Sequence, residues 1–247
     1  MSIPSNSYQL LGGQLMMLST EGGYRAAIDP VLLAAAVPAA KGDQILDVGC
    51  GTGAAALCLA TRVSGTQITG LDQQETLIEL AWEITQMNGL AARVQFHCSD
   101  LLHVEKHFKL ATFDHVMTNP PHHKKGSGNL SPDPLNAAAN FEGDAILEDW
   151  VVFCFEMVKE GGSVTFVHRY DRLDELVELM ARQGRAVTVY PLWPKETGKR
   201  AKRVLVQTRK GISGDIRIAD GMILHSNDDE YTTAAHAILR EAGALKL

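Results

Sequence analysis

From about residue 44 to residue 208, short apolar runs rich in β-branched residues alternate with longer segments whose apolar residues recur every three or four positions. The first pattern is typical of buried strands and the second of helices with one apolar face. Such an alternation predicts a mostly parallel sheet covered by helices on both faces. The predicted strands are residues 44–48, 67–71, 94–97, 115–118, 163–168, 186–190 and 203–208, and the predicted helices are residues 54–62, 76–88, 145–159 and 172–183.

Residues 1–28 form an N-terminal extension with two Gly-Gly pairs, which is compatible with a β-hairpin. Asp29-Pro30 then opens an apolar helix, because Asp suits a helix cap and Pro suits the first turn. Asp144 is the predicted cap of the third helix in the alternating region, and Gly161-Gly162 is its predicted stop. Residues 122–143 show no periodicity and are interpreted as a long loop on the substrate side. We expect a single domain over residues 1–247.

Composition narrows the class of protein. The 247 residues are 45% hydrophobic and 21% charged, an ordinary composition for a soluble globular domain. No apolar run approaches the roughly 18 residues of a membrane span, and the first residues lack a targeting pattern, so a cytoplasmic location is expected. The four cysteines show no spacing of a zinc site and are interpreted as buried apolar residues, and no metal is expected.

A glycine-rich turn follows the first strand of the alternating region. Gly49, Gly51 and Gly53 allow a ligand to approach the backbone closely, and the helix that starts after them adds partial positive charge. The pattern of Gly49, Gly51 and Ala54 also fits the dinucleotide motif G-x-G-x-x-A. A nicotinamide oxidoreductase is therefore one alternative.

Two acidic residues follow the next two strands. Asp72 is placed so that its carboxylate can accept from both hydroxyls of a ribose, and Asp100 so that its carboxylate can accept from an adenine amino group. Because open α/β sheets bind ligands at the carboxyl ends of their strands, both side chains are expected in one site.

The motif Asn119-Pro120-Pro121-His122 follows the fourth strand. The Asn119 side-chain oxygen and the Pro120 carbonyl can together accept both hydrogens of a planar NH2 group, which favours a pyramidal nitrogen with a free lone pair. Catalysis would then consist of positioning and dipole stabilisation. His122 occupies the place where an aromatic residue would stack on a flipped base. Its alternative is a histidine on a surface loop.

The segment Asp47-Val48-Gly49-Cys50-Gly51-Thr52-Gly53, with Asp72 and Asp100, resembles the class I S-adenosylmethionine-dependent methyltransferases. The resemblance implies an α/β fold with a seven-stranded, mostly parallel Rossmann-like sheet, whose last strand is antiparallel between the fifth and sixth. It also implies S-adenosylmethionine as cofactor. Asp47 would organise the methionine end of the pocket, with Asn119 beside it.

Three further segments carry a narrower resemblance. Gly23 to Ala35, Asn119-Pro120-Pro121 and the terminal stretch from Tyr231 to Leu239 resemble the bacterial valine-tRNA adenine-N6 methyltransferase-like family, from which His122 departs. The resemblance implies N-methylation of an exocyclic amine, with adenine N6 in tRNA as the first expectation. The alternatives are a protein glutamine-amide methyltransferase, a guanine N2 RNA methyltransferase and an inactive RNA-binding module.

Basic residues supply the candidate RNA contacts. Although the net charge is −6, lysines and arginines cluster late in the chain and follow the Asn119 motif. Phosphate contacts by such residues give affinity without sequence information. The alternative is a solvated charged hairpin. The sequence leaves the oligomeric state open. The candidate substrate contacts are Lys124, Lys125, Lys199, Arg200 and Lys202.

Overall fold

The computed structural model describes residues 6–20, 25–104, 108–124, 141–184, 186–195 and 200–247. The N-terminal part forms an antiparallel hairpin of β1 (Ser7–Leu10) and β2 (Leu15–Leu18). The Asn88 side chain fastens this hairpin to the main body, since its Oδ1 accepts from Met16 N at 2.9 Å and its Nδ2 donates to Met16 O at 2.7 Å.

The central sheet has the strand order β10-β8-β9-β7-β6-β3-β4-β5, with β11 also paired to β8. All its pairings are parallel except those of β9, which lies antiparallel between β7 and β8. The methyltransferase-like order expected from the sequence is therefore confirmed, and two short edge strands were not foreseen because each has only two residues. The strands are β3 (Gln44–Val48), β4 (Gln67–Asp72), β5 (Val94–Cys98), β6 (Phe113–Thr118), β7 (Val158–Arg169), β8 (Thr188–Trp193), β9 (Arg203–Arg209), β10 (Arg217–Ile218) and β11 (Met222–Ile223).

Helices cover both faces of the sheet, as predicted. Successive side chains of a strand point to opposite faces. Along β3, Ile45 accordingly belongs to a core with α1, α2, α3 and the hairpin, whereas Leu46 belongs to a second core with α4 and α5. The helices are α1 (Asp29–Ala36), α2 (Ala54–Arg62), α3 (Glu75–Met87), α4 (Leu147–Met157), α5 (Leu173–Gln183) and α6 (Thr233–Glu241).

The predicted helix boundaries were wrong at three points. Asp29 is the first residue of α1 rather than its cap, and its carboxylate binds Arg203 instead of the helix end. The cap of α4 is Ile146, whose backbone N–H donates to Asp149, and not Asp144. The predicted stop Gly161-Gly162 lies inside β7, where a Cβ at position 162 would come within 2.6 Å of a β6 carbonyl oxygen. There glycine serves close strand contact rather than helix termination.

The prediction that all cysteines are buried was wrong for Cys98. Its side chain is exposed because it lies at the carboxyl end of β5, while Cys50, Cys58 and Cys154 are buried. Within the described ranges, none of the helices is long and apolar enough to cross a membrane.

Candidate active site

A cavity of about 320 Å³ opens at the carboxyl ends of β3, β4, β5 and β6. The sheet order changes direction here, because the chain runs from β3 outward to β4 and β5 and then returns to β6 on the other side. Crevices at such switch points are where open α/β sheets bind ligands. Asp47, Gly49, Gly51, Asp72 and Asp100 all line the cavity.

The glycine turn is held by backbone hydrogen bonds to the neighbouring strand. Gly49 N donates to Leu71 O at 2.7 Å, and Gly51 N donates to Asp72 Oδ2 at 2.9 Å. A Cβ at Gly49 would lie 2.6 Å from the Trp150 ring, so the turn and the indole are in close contact. Gly53 is not part of the cavity lining within the described chain; it precedes α2 and packs against Phe96.

The three predicted acids differ in environment. Asp47 is 2% exposed, and its Oδ2 accepts from Ala56 N at 3.1 Å. Burial, together with the charge of Asp72, raises the pKa of Asp47 to about 8 against the effect of that hydrogen bond. Burial also raises the pKa of Asp72, whose carboxylate accepts from the backbone N–H groups of Gly51 and Gln74. Asp100 is more open and accepts from Leu102 N at 2.9 Å.

Asn119 follows β6 directly and lines the cavity together with Pro121. The Asn119 Oδ1 atom is buried and has no hydrogen-bond partner within the described part of the chain. Buried polar atoms nearly always have a hydrogen-bond partner, so this oxygen is placed to accept a hydrogen bond from a bound ligand. Pro120 is buried and, among the described residues, stands outside the cavity lining. The end of β6 is fixed by Thr118, whose hydroxyl donates to Val48 O at 2.8 Å.

His122 does not occupy the position that either prediction gave it. It is absent from the described cavity lining, and with a side chain only 11% exposed it is not a surface-loop histidine either. Its Nε2 lies 3.5 Å from Asp29 Oδ2, which also accepts from Arg203 Nε at 2.7 Å. Although burial acts to raise the pKa of Asp29, His122 and Arg203 lower it.

The candidate basic contacts to RNA differ in whether the protein already pairs them with an acidic side chain. Lys124 pairs with Glu175 at 3.1 Å and Lys195 with Asp229 at 2.7 Å. Arg200 and Lys202 are exposed, just before β9, whose first residue pairs with the last residue of β7 on the same edge of the sheet as Asn119. The two other candidate contacts, Lys125 and Lys199, lie outside the described residues.

Residues 39–186, more than half of the chain, match a family model described as a methyltransferase domain. The chain belongs to this methyltransferase family. The match overturns the nicotinamide oxidoreductase alternative, which depended on three small residues of the glycine turn.

This methyltransferase is similar to named tRNA methyltransferases and to a solved methyltransferase structure. A tRNA1(Val) (adenine(37)-N6)-methyltransferase from Vibrio campbellii is 30% identical over 164 residues, covering 66% of each chain. A protein of the same name from Actinobacillus pleuropneumoniae is 26% identical over 208 residues, covering 83% of this chain and 84% of the relative. A solved structure described as a predicted O-methyltransferase from Agrobacterium tumefaciens has a TM-score of 0.73 at 21% identity, covering 89% and 99% of the two chains, and this similarity concerns the fold.

Two aromatic residues of the methyltransferase cavity were missed by sequence reasoning. Trp150 lies on α4, in an apolar pattern that only predicted core packing. Phe141 stands near the end of a stretch that was interpreted as a loop without periodicity. A lone aromatic at the end of a glycine-rich loop was the available signal for Phe141.

Proposed function

We propose that this methyltransferase transfers a methyl group from S-adenosylmethionine to the exocyclic N6 amine of an adenine in tRNA. The observation that carries the proposal is the buried Asn119 Oδ1 at the cavity beside the glycine turn, which has no hydrogen-bond partner among the described residues. The names of the two relatives, both tRNA adenine-N6 methyltransferases, support adenine in tRNA as the substrate.

The donor and acceptor groups of the cavity fit S-adenosylmethionine. The Asp72 carboxylate lines the cavity and accepts from the backbone N–H groups of Gly51 and Gln74, and a carboxylate, whose oxygens together offer about four acceptor sites, can also accept from ribose hydroxyls. Asp100 Oδ1 accepts one N–H in the same way and can accept from an adenine amino group. Asp47 and the Gly49 turn line the part assigned to the methionine end. When bound, the cofactor supplies a methyl group on a positively charged sulfur.

Asn119 and Pro120 act on the substrate amine in this proposal. The lone pair of an adenine amine is delocalised into the ring, which makes the nitrogen a poor nucleophile. Asn119 Oδ1 accepts one of its hydrogens and so favours a pyramidal nitrogen; the Pro120 carbonyl oxygen is the acceptor that the motif assigns to the other hydrogen, although Pro120 stands outside the described cavity lining. Because β6 and the Thr118 hydrogen bond hold Asn119 in place, the acceptors need little reorganisation during the reaction. Arg200 and Lys202 are the described candidates for phosphate contacts, and they predict RNA binding that weakens with salt.

Incubation of the purified protein with methyl-labelled S-adenosylmethionine and in-vitro transcribed valine tRNA tests the proposal. We expect label in RNA and N6-methyladenosine on nucleoside mass spectrometry. N2-methylguanosine would instead support the guanine alternative. Label in a protein of a cell extract, with none in RNA, would favour the glutamine-amide alternative. RNA binding without any transfer would support the inactive module.

A further inference from the structure

The His122 side chain is largely buried and contacts other parts of the protein rather than the cavity. Its ring touches a carboxylate through one nitrogen, since Nε2 lies 3.5 Å from Asp29 Oδ2. Asp29 is in turn held by Arg203, so that α1, β9 and the Asn119 segment meet at one carboxylate. A ring held in this way cannot lie flat on a base in the cavity, and His122 is absent from the lining that the described residues form.

The second nitrogen of His122 also faces inward. Its Nδ1 is buried without a partner among the described residues, and the ring centroid lies 5.4 Å from that of His168. His168 is fully buried, and its Nδ1 accepts from Arg169 N at 2.7 Å, so the neutral ring carries its proton on Nε2. That Nε2–H likewise lacks a described partner. Both rings are therefore packed inside the protein, next to each other and away from the cavity lining of the described chain.

Phe141 has the opposite surroundings. It lines the cavity with Asn119 and Pro121, and its ring stacks on His123 at 5.2 Å with an interplanar angle of 28°. Arg169 Nη1 lies 3.3 Å from His123 Nε2, which supports the ring behind Phe141.

Backbone and charge contacts also fix Phe141. It forms a parallel bridge with His123, and Glu142 N donates to His123 O at 2.8 Å. The Glu142 carboxylate accepts from Arg172 at 2.6 Å in a pair whose side chains are only 6% and 9% exposed. The aromatic ring at the cavity is therefore held by a ring contact with His123, by the backbone bonds of its segment and by the buried ion pair of the next residue.

We infer that Phe141, and not His122, is the platform on which the substrate base stacks, and that His122 is a positioning residue that ties the Asn119 segment to Asp29. This inference rests on the proposed function. Phe141 would supply the stacking ring that an aromatic residue at position 122 would otherwise provide. Trp150 is the other aromatic of the described cavity lining, but it is committed to the cofactor side because it packs against Gly49.

The test compares Phe141→Leu with Phe141→Tyr. Loss of one base–aromatic stacking contact should raise KM for tRNA or lower kcat/KM roughly 10- to 100-fold in Phe141→Leu. Phe141→Tyr keeps an aromatic ring and should retain activity close to that of the wild type. The affinity for S-adenosylhomocysteine, measured by calorimetry, should be the same in both variants. Phe108→Leu is the matched control, since Phe108 packs edge-on against His97 outside the described cavity lining.

A spectroscopic signal separates stacking from general damage. Valine tRNA with 2-aminopurine in place of the adenine that the wild type methylates should fluoresce less when saturated with wild-type protein than with Phe141→Leu, because a stacked base is quenched. His122→Phe in the Phe141→Leu background should not restore activity, as phenylalanine cannot bind Asp29.

The outcomes are distinct. If the wild type methylates tRNA but Phe141→Leu keeps full kcat/KM, or if the added His122→Phe restores it, the platform assignment is overturned while the proposed function stands. If the wild type methylates no RNA adenine, the proposed function fails and the platform assignment fails with it.

Discussion

Replacing Gly49 by alanine is expected to destabilise the protein far more than the same change at Gly51. Both glycines have a left-handed backbone, with φ of 69° and 54°. That conformation costs alanine about 1–2 kcal/mol at either site. At Gly49 the new Cβ would lie 2.6 Å from the Trp150 ring, whereas at Gly51 no atom of the described residues lies within 4 Å. Overpacking of this kind adds about 1–3 kcal/mol.

Urea unfolding followed by circular dichroism measures both free energies of unfolding. We predict that Gly49→Ala lies about 1–3 kcal/mol below Gly51→Ala. Adding Trp150→Leu should remove most of that difference in Gly49→Ala, with a coupling energy of about 1 kcal/mol or more in the double-mutant cycle. Equal destabilisation by the two alanines, or no coupling to position 150, would refute the claim that this turn is shaped by contact with the indole.

Three further predictions concern other parts of the site. Burial, aided by nearby positive groups, lowers the pKa of His168 to about 3. Because the unfolded chain has a histidine pKa of about 6.5 and takes up the proton first as the pH falls, the free energy of unfolding should drop by about 2 kcal/mol between pH 7 and pH 5, and His168→Gln should flatten this slope. Glu142→Gln removes one of the two carboxylates that Arg172 binds, leaving Arg172 paired with Glu175 alone among the described residues, and should cost about 2 kcal/mol, while Glu178→Gln at an exposed pair should change stability by less than about 1 kcal/mol. Asp72→Ala should weaken S-adenosylhomocysteine binding about 10- to 100-fold by calorimetry, because its carboxylate hydrogen bonds are charge-assisted.

The strands and the cofactor half of the site could be predicted because their signals are local. β3 and the glycine turn were predicted from one short stretch, and the positions of Asp72 and Asp100 follow from the ends of their strands. A parallel sheet brings the carboxyl ends of its strands to one edge. The residues that follow each strand in the local sequence therefore predict which side chains meet in the site.

The remaining features depend on contacts between distant segments. Asp is a residue type that favours helix caps, but the Asp29 carboxylate instead accepts a hydrogen bond from Arg203 of β9, which lies 174 positions later in the chain. His122 was assigned by motif position, yet Asp29 and His168 determine where its ring lies. Neither pairing has a signal within the local sequence. Phe141 lines the cavity in a segment that contacts His123 through its ring and Arg172 through the Glu142 carboxylate, and both partners are distant in sequence or outside the local pattern.

In the proposed reaction the Asn119 side-chain oxygen orients an adenine amine for methyl transfer. The most direct test of this role is the single-turnover rate of N6-methyladenosine formation in valine tRNA by the wild type and by Asn119→Ala, with S-adenosylhomocysteine affinity measured in parallel. We predict a rate about 100-fold lower for Asn119→Ala, with cofactor-product affinity retained. An unchanged rate in Asn119→Ala would contradict this role of Asn119, and the absence of N6-methyladenosine with the wild type would contradict the proposed function.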